Sequence, residues 1–543
     1  MTSAVVGIGA PPGTAGRGGP LTGLGPLLRL CLRRERIPLL CWVIGVGLVV
    51  GTSFPAIAAL YPEAAARADL AIGVGSNPAT VAITGPVFDS SVGGLSAWRV
   101  GVIGSTVLAL MAVFTVVRRT RGDEEAGRTE LLAATAVGRS AQLASAVLVA
   151  AAAAVAVGLL GLLGALSTGS AVTGSLLLVA ALAGCSWVFA AVAALAAQLA
   201  GSARGATVLA GTAVGVAFLL RATADGSDLP WLRWLSPIGW VEQLQPFAAN
   251  RWPVLLLYPA AAVLLLLPAA WYQRRRDLGA GLLPTRPGRA VGRLSGIGGL
   301  GVRLQWGSAA GWAVGLAVAG AVLGGVAGGA DQLLQGSPQI QELFRRLGGD
   351  GGISAVVLAA IGGFVGIAVA GQAVSIALRL RAEEEAARTE LLLSCPVSRT
   401  RLFAVQLLWV VVAPAVSLTL CGLSAGVALG ARGGSGAGLG DGLSALLVQL
   451  PAVWVMGGIA LLLVGLAPRA IGVAWAAVGV ALLLGQLGDL LRLPRWVIDL
   501  SPFGHLPQLP SAAMDWTPVL VLTGIAAVLV IAGLLGFRRR DVG

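Results

Sequence analysis

Residues 121–132 read RGDEEAGRTELL, and residues 381–392 read RAEEEAARTELL. At this fixed offset nine of the twelve positions are identical, and Asp123 meets Glu383. Arg119 matches Arg379, Val137 matches Val397 and Arg139 matches Arg399. Further along, LSPIGWVEQL at 235–244 returns as LSPFGHLPQL at 500–509, and RRRDLG at 274–279 returns as RRRDVG at 538–543. Arg204 is answered by Arg469. Self-similarity over so long a period means that one architectural unit is present twice.

The residues around the repeated loop are overwhelmingly apolar. Of 543 residues, 57% are hydrophobic and only 11% are charged, far from the charge that a soluble chain of this length carries on its surface. The apolar residues gather in runs of roughly 20, the length that crosses a bilayer as a helix. Twelve spans are expected. The first six are Ile37–Leu60, Arg99–Val117, Ala141–Leu163, Ser175–Leu199, Ala206–Leu220 and Pro253–Tyr272. The second six are Ala309–Val326, Ile353–Leu378, Leu402–Leu429, Leu443–Leu466, Ala470–Leu487 and Thr517–Phe537. The fifth and eleventh runs are short. The 79 glycines, many inside these runs, suit close approach of membrane helices. The expected fold is an all-α polytopic membrane protein, with twelve transmembrane helices in two parallel six-helix repeats. Such repeats form a pseudo-dimer about an axis along the membrane normal.

Four segments follow. Residues 1–26 read as a flexible cytoplasmic tail, 27–281 as the first repeat, 282–301 as a cytoplasmic linker and 302–543 as the second repeat. Leu27–Arg36 alternates leucine with arginine and suits a helix lying on the inner membrane surface. No short apolar core with a cleavage site precedes the first span. The chain contains no lysine; with both termini in the cytoplasm, 27 of its 37 arginines fall inside and 10 outside. That split follows the positive-inside rule and explains most of the +13 net charge without nucleic acid. The expected location is the bacterial inner (plasma) membrane.

Positive-inside logic does not explain the acids of the repeated loop, which hold eight of the chain's 24 carboxylates in two matched patches. On one continuous helix Glu124, Arg128, Leu131 and Leu132 share a face at i, i+4, i+7 and i+8, with the acids at the favoured end of the dipole. Such an amphipathic helix either stiffens the turn through surface salt bridges or docks a cytoplasmic partner. The Trp- and Pro-rich segments Leu229–Trp252 and Pro494–Trp516 suit short broken helices at the outer interface, as a gate or as anchors.

The pattern E-x-x-R-T-E-L-L followed by P-V-S-R, here Glu385–Leu392 and then Pro396, Val397, Ser398 and Arg399, resembles the coupling region of ABC-2-type permeases. The first copy departs from it at Ala136 and Gly138. The nearest likeness is to the fused two-repeat branch similar to actinobacterial polyketide-antibiotic exporters of the tetronasin type and multidrug efflux permeases. The resemblance implies a fused pseudo-dimer that exports lipophilic antibiotics or drugs and docks two copies of a cytoplasmic ATP-binding cassette subunit. The implied contact residues are Glu124, Glu125, Arg128, Glu130, Leu131 and Leu132, with Glu384, Glu385, Arg388, Glu390, Leu391 and Leu392 in the second copy.

The chain's own residues fit a transport subunit that is not itself an enzyme. A P-loop needs a lysine to reach the phosphates, and there is none. ATP and Mg would sit on the partner subunit, so no catalytic, cofactor or metal ligands are expected here, and substrate-binding residues cannot be named. The five cysteines have no metal-ligand spacing, and the lone His505 reads as structural. The competing expectation is an ion-coupled secondary drug transporter with twelve spans. The expected spans carry no Asp or Glu for a proton relay, which weighs against it.

Overall fold

The computed structural model describes residues 19–75, 78–226, 229–277, 279–282, 296–334, 352–431, 438–487 and 494–540. Among them every regular element is a helix. The chain forms two compact units, 1–288 and 289–543. Most of the expected tail, 1–18, and of the expected linker, 283–295, lies outside the described residues.

In the first unit the spanning helices are α1 (Leu24–Leu60), α4 (Val92–Arg119), α7 (Ala141–Ser167), α8 (Val172–Leu199), α9 (Ala203–Gly226) and α11 (Leu257–Arg275). Short helices lie between them: α2 (Ala64–Gly75), α3 (Pro78–Thr84), α5 (Arg121–Glu125), α6 (Arg128–Ala133) and α10 (Pro237–Leu244). The second unit holds Gly296–Leu334, Gly352–Glu385, Arg399–Gly430, Gly438–Leu447 with Leu450–Leu466, Gly472–Leu487 and Trp516–Arg539. Eleven helices among the described residues are long and apolar enough to cross a membrane. In place of the expected eleventh span, Ala470–Leu487, stands the helix Gly472–Leu487 of 16 residues. At 1.5 Å per residue it reaches about 24 Å, short of the ~30 Å hydrocarbon core.

Lipid tails are as apolar as leucine, so these helices gain little from merely hiding side chains and must gain from close contact. Glycine supplies it. α1 and α7 approach so closely that a Cβ on Gly164 would lie 1.9 Å from the Gly51 carbonyl oxygen. In the second unit Gly296–Leu334 meets Arg399–Gly430 the same way, with a Cβ on Gly324 falling 2.1 Å from the Ala425 oxygen. Each unit thus packs its first spanning helix on its third, and its fourth on its sixth. The latter contact is made by Gly184 under the Tyr258 ring in one unit and by Gly465 against Gly533 in the other.

Two expectations about helix ends are corrected. Leu27–Arg36 is not a separate surface helix; it is the first part of the continuous α1. Its Glu35 is fully buried and paired with Arg118 and Arg119, while Arg34 pairs with Asp123 at 3.3 Å. These bonds hold the segment against the end of α4. The fifth span does not stop at Leu220 but continues to Gly226, carrying Arg221 and Asp225 inside.

Candidate functional site

The repeated loop is not one helix. In the first copy the chain breaks at Gly127, in the left-handed region at φ 70°, so that α5 and α6 are separate. In the second copy Gly352–Glu385 runs on to Glu385 before Ala387 turns the chain at φ 55° into Arg388–Leu393. The expected single face of Glu124, Arg128, Leu131 and Leu132 therefore does not exist. Arg121, Asp123 and Glu124 before the break face inward, as does Glu384 in the second copy, and several residues after it face out.

Glu124 is the centre of the inward set, its side chain only 6% exposed. It accepts two parallel bonds from Arg276, both 2.8 Å, a third from Arg121 at 2.8 Å, and the Gly279 amide at 2.6 Å. Arg121 also donates to the Ala280 carbonyl, and Arg276 to Gln198. Asp123 pairs with Arg128 at 2.8 Å. Glu125 is exposed but accepts the Ala203 amide at 2.8 Å, which caps α9. A bidentate Arg–carboxylate pair fixes geometry as well as energy. The loop is thus clamped to the ends of α8, α9 and α11.

The second copy repeats the clamp. Glu384 takes the place of Glu124, bonded to Arg381 at 3.1 Å and to Arg540. Arg388 pairs with Glu383 at 2.9 Å, as Arg128 does with Asp123. Arg139 donates to the Arg274 carbonyl, and Arg399 donates to that of Arg538. The tripled arginine at each repeat's end is therefore part of the loop's scaffold, a role that the bare repeat RRRD did not reveal.

Beyond the break, α6 and Arg388–Leu393 present their own surface. Glu130, Glu390, Arg128 and Arg388 are exposed, and so are two leucines, Leu131 at 74% and Leu391 at 70%. Leu132 and Leu392 are half-buried, while Thr389 is buried. Behind α6 lies a cavity of about 250 Å³ lined by Thr129, Gln142, Gln198 and Gln273 among others, and Gln142 donates to the Thr129 hydroxyl at 3.2 Å. So α6 borders open space on its inner side and is held there by this hydrogen bond.

A second charged cluster was missed because its residues fall past the expected end of the fifth span. Arg221 is fully buried and its Nε lies 2.7 Å from both Asp225 and Glu242. Its other nitrogens donate to the carbonyls of Val81, Ala82 and Ile83 at the end of α3. Arg233 pairs with Asp225 on the other side. Two arginines thus face two carboxylates. In the second repeat Pro507 stands where the first has Glu242. Among the described residues no group of His, Cys, Asp and Glu could hold a metal ion.

The family model described as "Multidrug efflux system permease Rv1217c, C-terminal domain" matches residues 24–273 and 294–538. The chain is also 39% identical over 548 residues, spanning 100% of both proteins, to the multidrug efflux system permease protein Rv1217c of Mycobacterium tuberculosis (strain ATCC 25618 / H37Rv).

Proposed function

The chain belongs to the multidrug efflux system permeases, and from that premise we propose that it is the membrane-spanning subunit of an ATP-driven exporter of lipophilic drugs or antibiotics. Its termini and repeated loops lie in the cytoplasm, on the arginine-rich side of the inner membrane. There α6 and Arg388–Leu393 dock two copies of an ATP-binding cassette subunit, which carries ATP and Mg. The observation behind this reading is the loop built twice: buried Glu124 and Glu384 brace it, and an exposed Arg-Glu-Leu surface is left over. Both copies leave a leucine at least 70% exposed beside an arginine and a glutamate, a matched surface that one kind of partner would cover twice. The cavity behind α6 gives that helix room to move when its partner closes on ATP. With no lysine in the chain, a P-loop must come from the partner.

The test is the reconstituted complex. Glu130→Arg together with Glu390→Arg places like charges where the partner expects acids. Losing or repelling a charge at a contact costs on the order of 2–5 kcal/mol, which weakens docking tens- to thousands-fold. Substrate-stimulated ATPase and co-purification should both fall, while membrane insertion and melting temperature stay put, because neither glutamate braces the fold. Normal stimulation and normal co-purification in the double variant would remove the docking role.

One observation favours an ion-coupled transporter instead: Asp225 and Glu242 are buried together. Both, however, are engaged by arginine. Transport that runs on a proton gradient without nucleotide would establish that second reading.

A further inference from the structure

The two repeated loops share their clamp but not their footing. The cavity of about 250 Å³ behind α6 is lined by Thr120, Gln142, Gln198 and Gln273 among others. The second repeat replaces each of these four polar residues by an apolar one: Leu380, Leu402, Leu463 and Phe537. Leu380 and Phe537 are buried in the core of the second unit, and Leu402 and Leu463 pack against that core. Phe537 lies on Phe403 with ring centres 5.7 Å apart. One copy thus lines a space large enough for water with amides and a hydroxyl, and the other sets hydrocarbon at the matching positions.

The threonine between arginine and glutamate in each loop registers the difference. Thr129 is half-buried, and its hydroxyl accepts from Gln142 Nε2 at 3.2 Å. The same nitrogen donates to the Arg119 carbonyl at 3.1 Å, so Gln142 ties α6 to the end of α4. Thr389 is only 1% exposed, and with Leu402 in place of Gln142 its hydroxyl has no hydrogen-bond partner among the described residues. The chain is fixed on both sides of α6. The clamp on Glu124 lies before it, and after it the Gly138 amide donates to the Thr22 carbonyl at 2.9 Å. The ion pairs Arg128–Asp123 and Arg388–Glu383 match, so they do not distinguish the copies.

We infer that the two loops are unequal moving parts: α6 is a hinged docking helix, held at its cavity by the Gln142–Thr129 bond, and Arg388–Leu393 is a fixed one, its Thr389 buried where apolar residues replace the amides. A hydrogen bond beside water is exchanged for one to water at small net cost, so α6 can swing while both its ends stay held. The same movement of Arg388–Leu393 uncovers apolar surface, which water opposes. This rests on the reading that both loops dock an ATP-binding subunit. It adds that one dock yields as the partner closes, while the other passes the movement directly to its spanning helices.

Hydrogen exchange read by mass spectrometry on the purified full-length chain tests the difference. The amides of Ala134 and Thr135 close α6 on the Glu130 and Leu132 carbonyls, and those of Ser394 and Cys395 close the second helix on Glu390 and Leu392. Corrected for intrinsic rates, the first pair should exchange about tenfold faster than the second, because local opening sets the rate. Thr129→Val keeps the side chain's shape but removes the acceptor. It should quicken exchange at Ala134 and Thr135 by about three- to tenfold more, the worth of one hydrogen bond. Thr129→Ser keeps the hydroxyl and should exchange like the wild type. Thr389→Val should not quicken exchange at Ser394 and Cys395. Equal or reversed protection of the two wild-type loops overturns the inference, and so do equal responses to the two valine variants. The wild-type comparison needs no substitution, so the test stands where a variant fails to fold. The measurement uses no nucleotide and no partner subunit. Its failure therefore leaves docking intact, and failed docking in the Glu130→Arg, Glu390→Arg variant leaves the wild-type difference in exchange unchanged.

Discussion

Arg221 shows how a spanning helix carries charge to its end. It meets two carboxylates and three carbonyls, so its burial is repaid by hydrogen bonds on every side. Removing one partner from such a set leaves a naked buried charge, which costs about 3–5 kcal/mol. Arg221→Leu should therefore lower the melting temperature in detergent sharply, and should lower expression with it. Glu242→Gln keeps an oxygen to accept from Arg221 Nε and should be much milder. Equal losses for the two would mean that volume, not charge, holds α10 in place. The sequence alone could not show this cluster. A charge after Leu220 reads as the end of a span when its neutralising partners lie 21 residues downstream and in α3. The inward pairing of Glu124 and Glu384 is hidden from the sequence for a related reason: their partners Arg276 and Arg540 sit at the far end of each repeat.

At the scale of the helix, the sequence is legible where one property dominates and illegible where two compete. Apolar length located eleven full spans, because nothing else in a chain needs some 20 hydrophobic residues in a row. The break inside the repeated loop was not legible. The i, i+4 pattern reads straight through Ala387, and a lone Gly127 inside a helical pattern is tolerated often enough to be no signal. What decides it is the clamp on Glu124 and Glu384, which holds the first half of the loop inward and leaves the second to turn away. The packing of α1 on α7 gives the sharper test. A side chain at Gly164 cannot be accommodated by rotation, since the obstacle is the backbone of Gly51. Gly164→Leu should therefore prevent the monodisperse, folded chain from being recovered in detergent, as should Gly465→Leu, which faces the Gly533 carbonyl. Gly215→Leu, with open space around it, should be recovered normally. If all three behave alike, close glycine contact is not what joins these helices.

For the whole molecule, the duplication carries an orientation that can be measured. On the proposed reading each copy crosses six times, so the second copy would meet the membrane facing the same way as the first, and the arginine bias would put the repeated loops inside. A shorter eleventh helix puts this under strain: if Gly472–Leu487 failed to cross, everything after it would be inverted. The packing argues that it crosses, because Arg538 and Arg540 at the end of Trp516–Arg539 return to Arg399 and Glu384, at the same end as the loop. The same return is made by Arg274 and Arg276 to Arg139 and Glu124 in the first unit. In a background with the five native cysteines replaced, cysteines at Glu130 and Glu390 should react with a membrane-impermeant maleimide only from the cytoplasmic side. Thr129 and Thr389 would be poor choices, since Thr389 is buried. Cysteines at the exposed Ala249 and Ala513, the positions before the tryptophan-led sixth span of each repeat, should react only from outside. Labelling of Glu130 and Glu390 from opposite sides would require an odd number of crossings between them, turning the parallel repeat into an inverted one. Two identical ATP-binding subunits could not then reach both loops, and the docking model would fall with the topology.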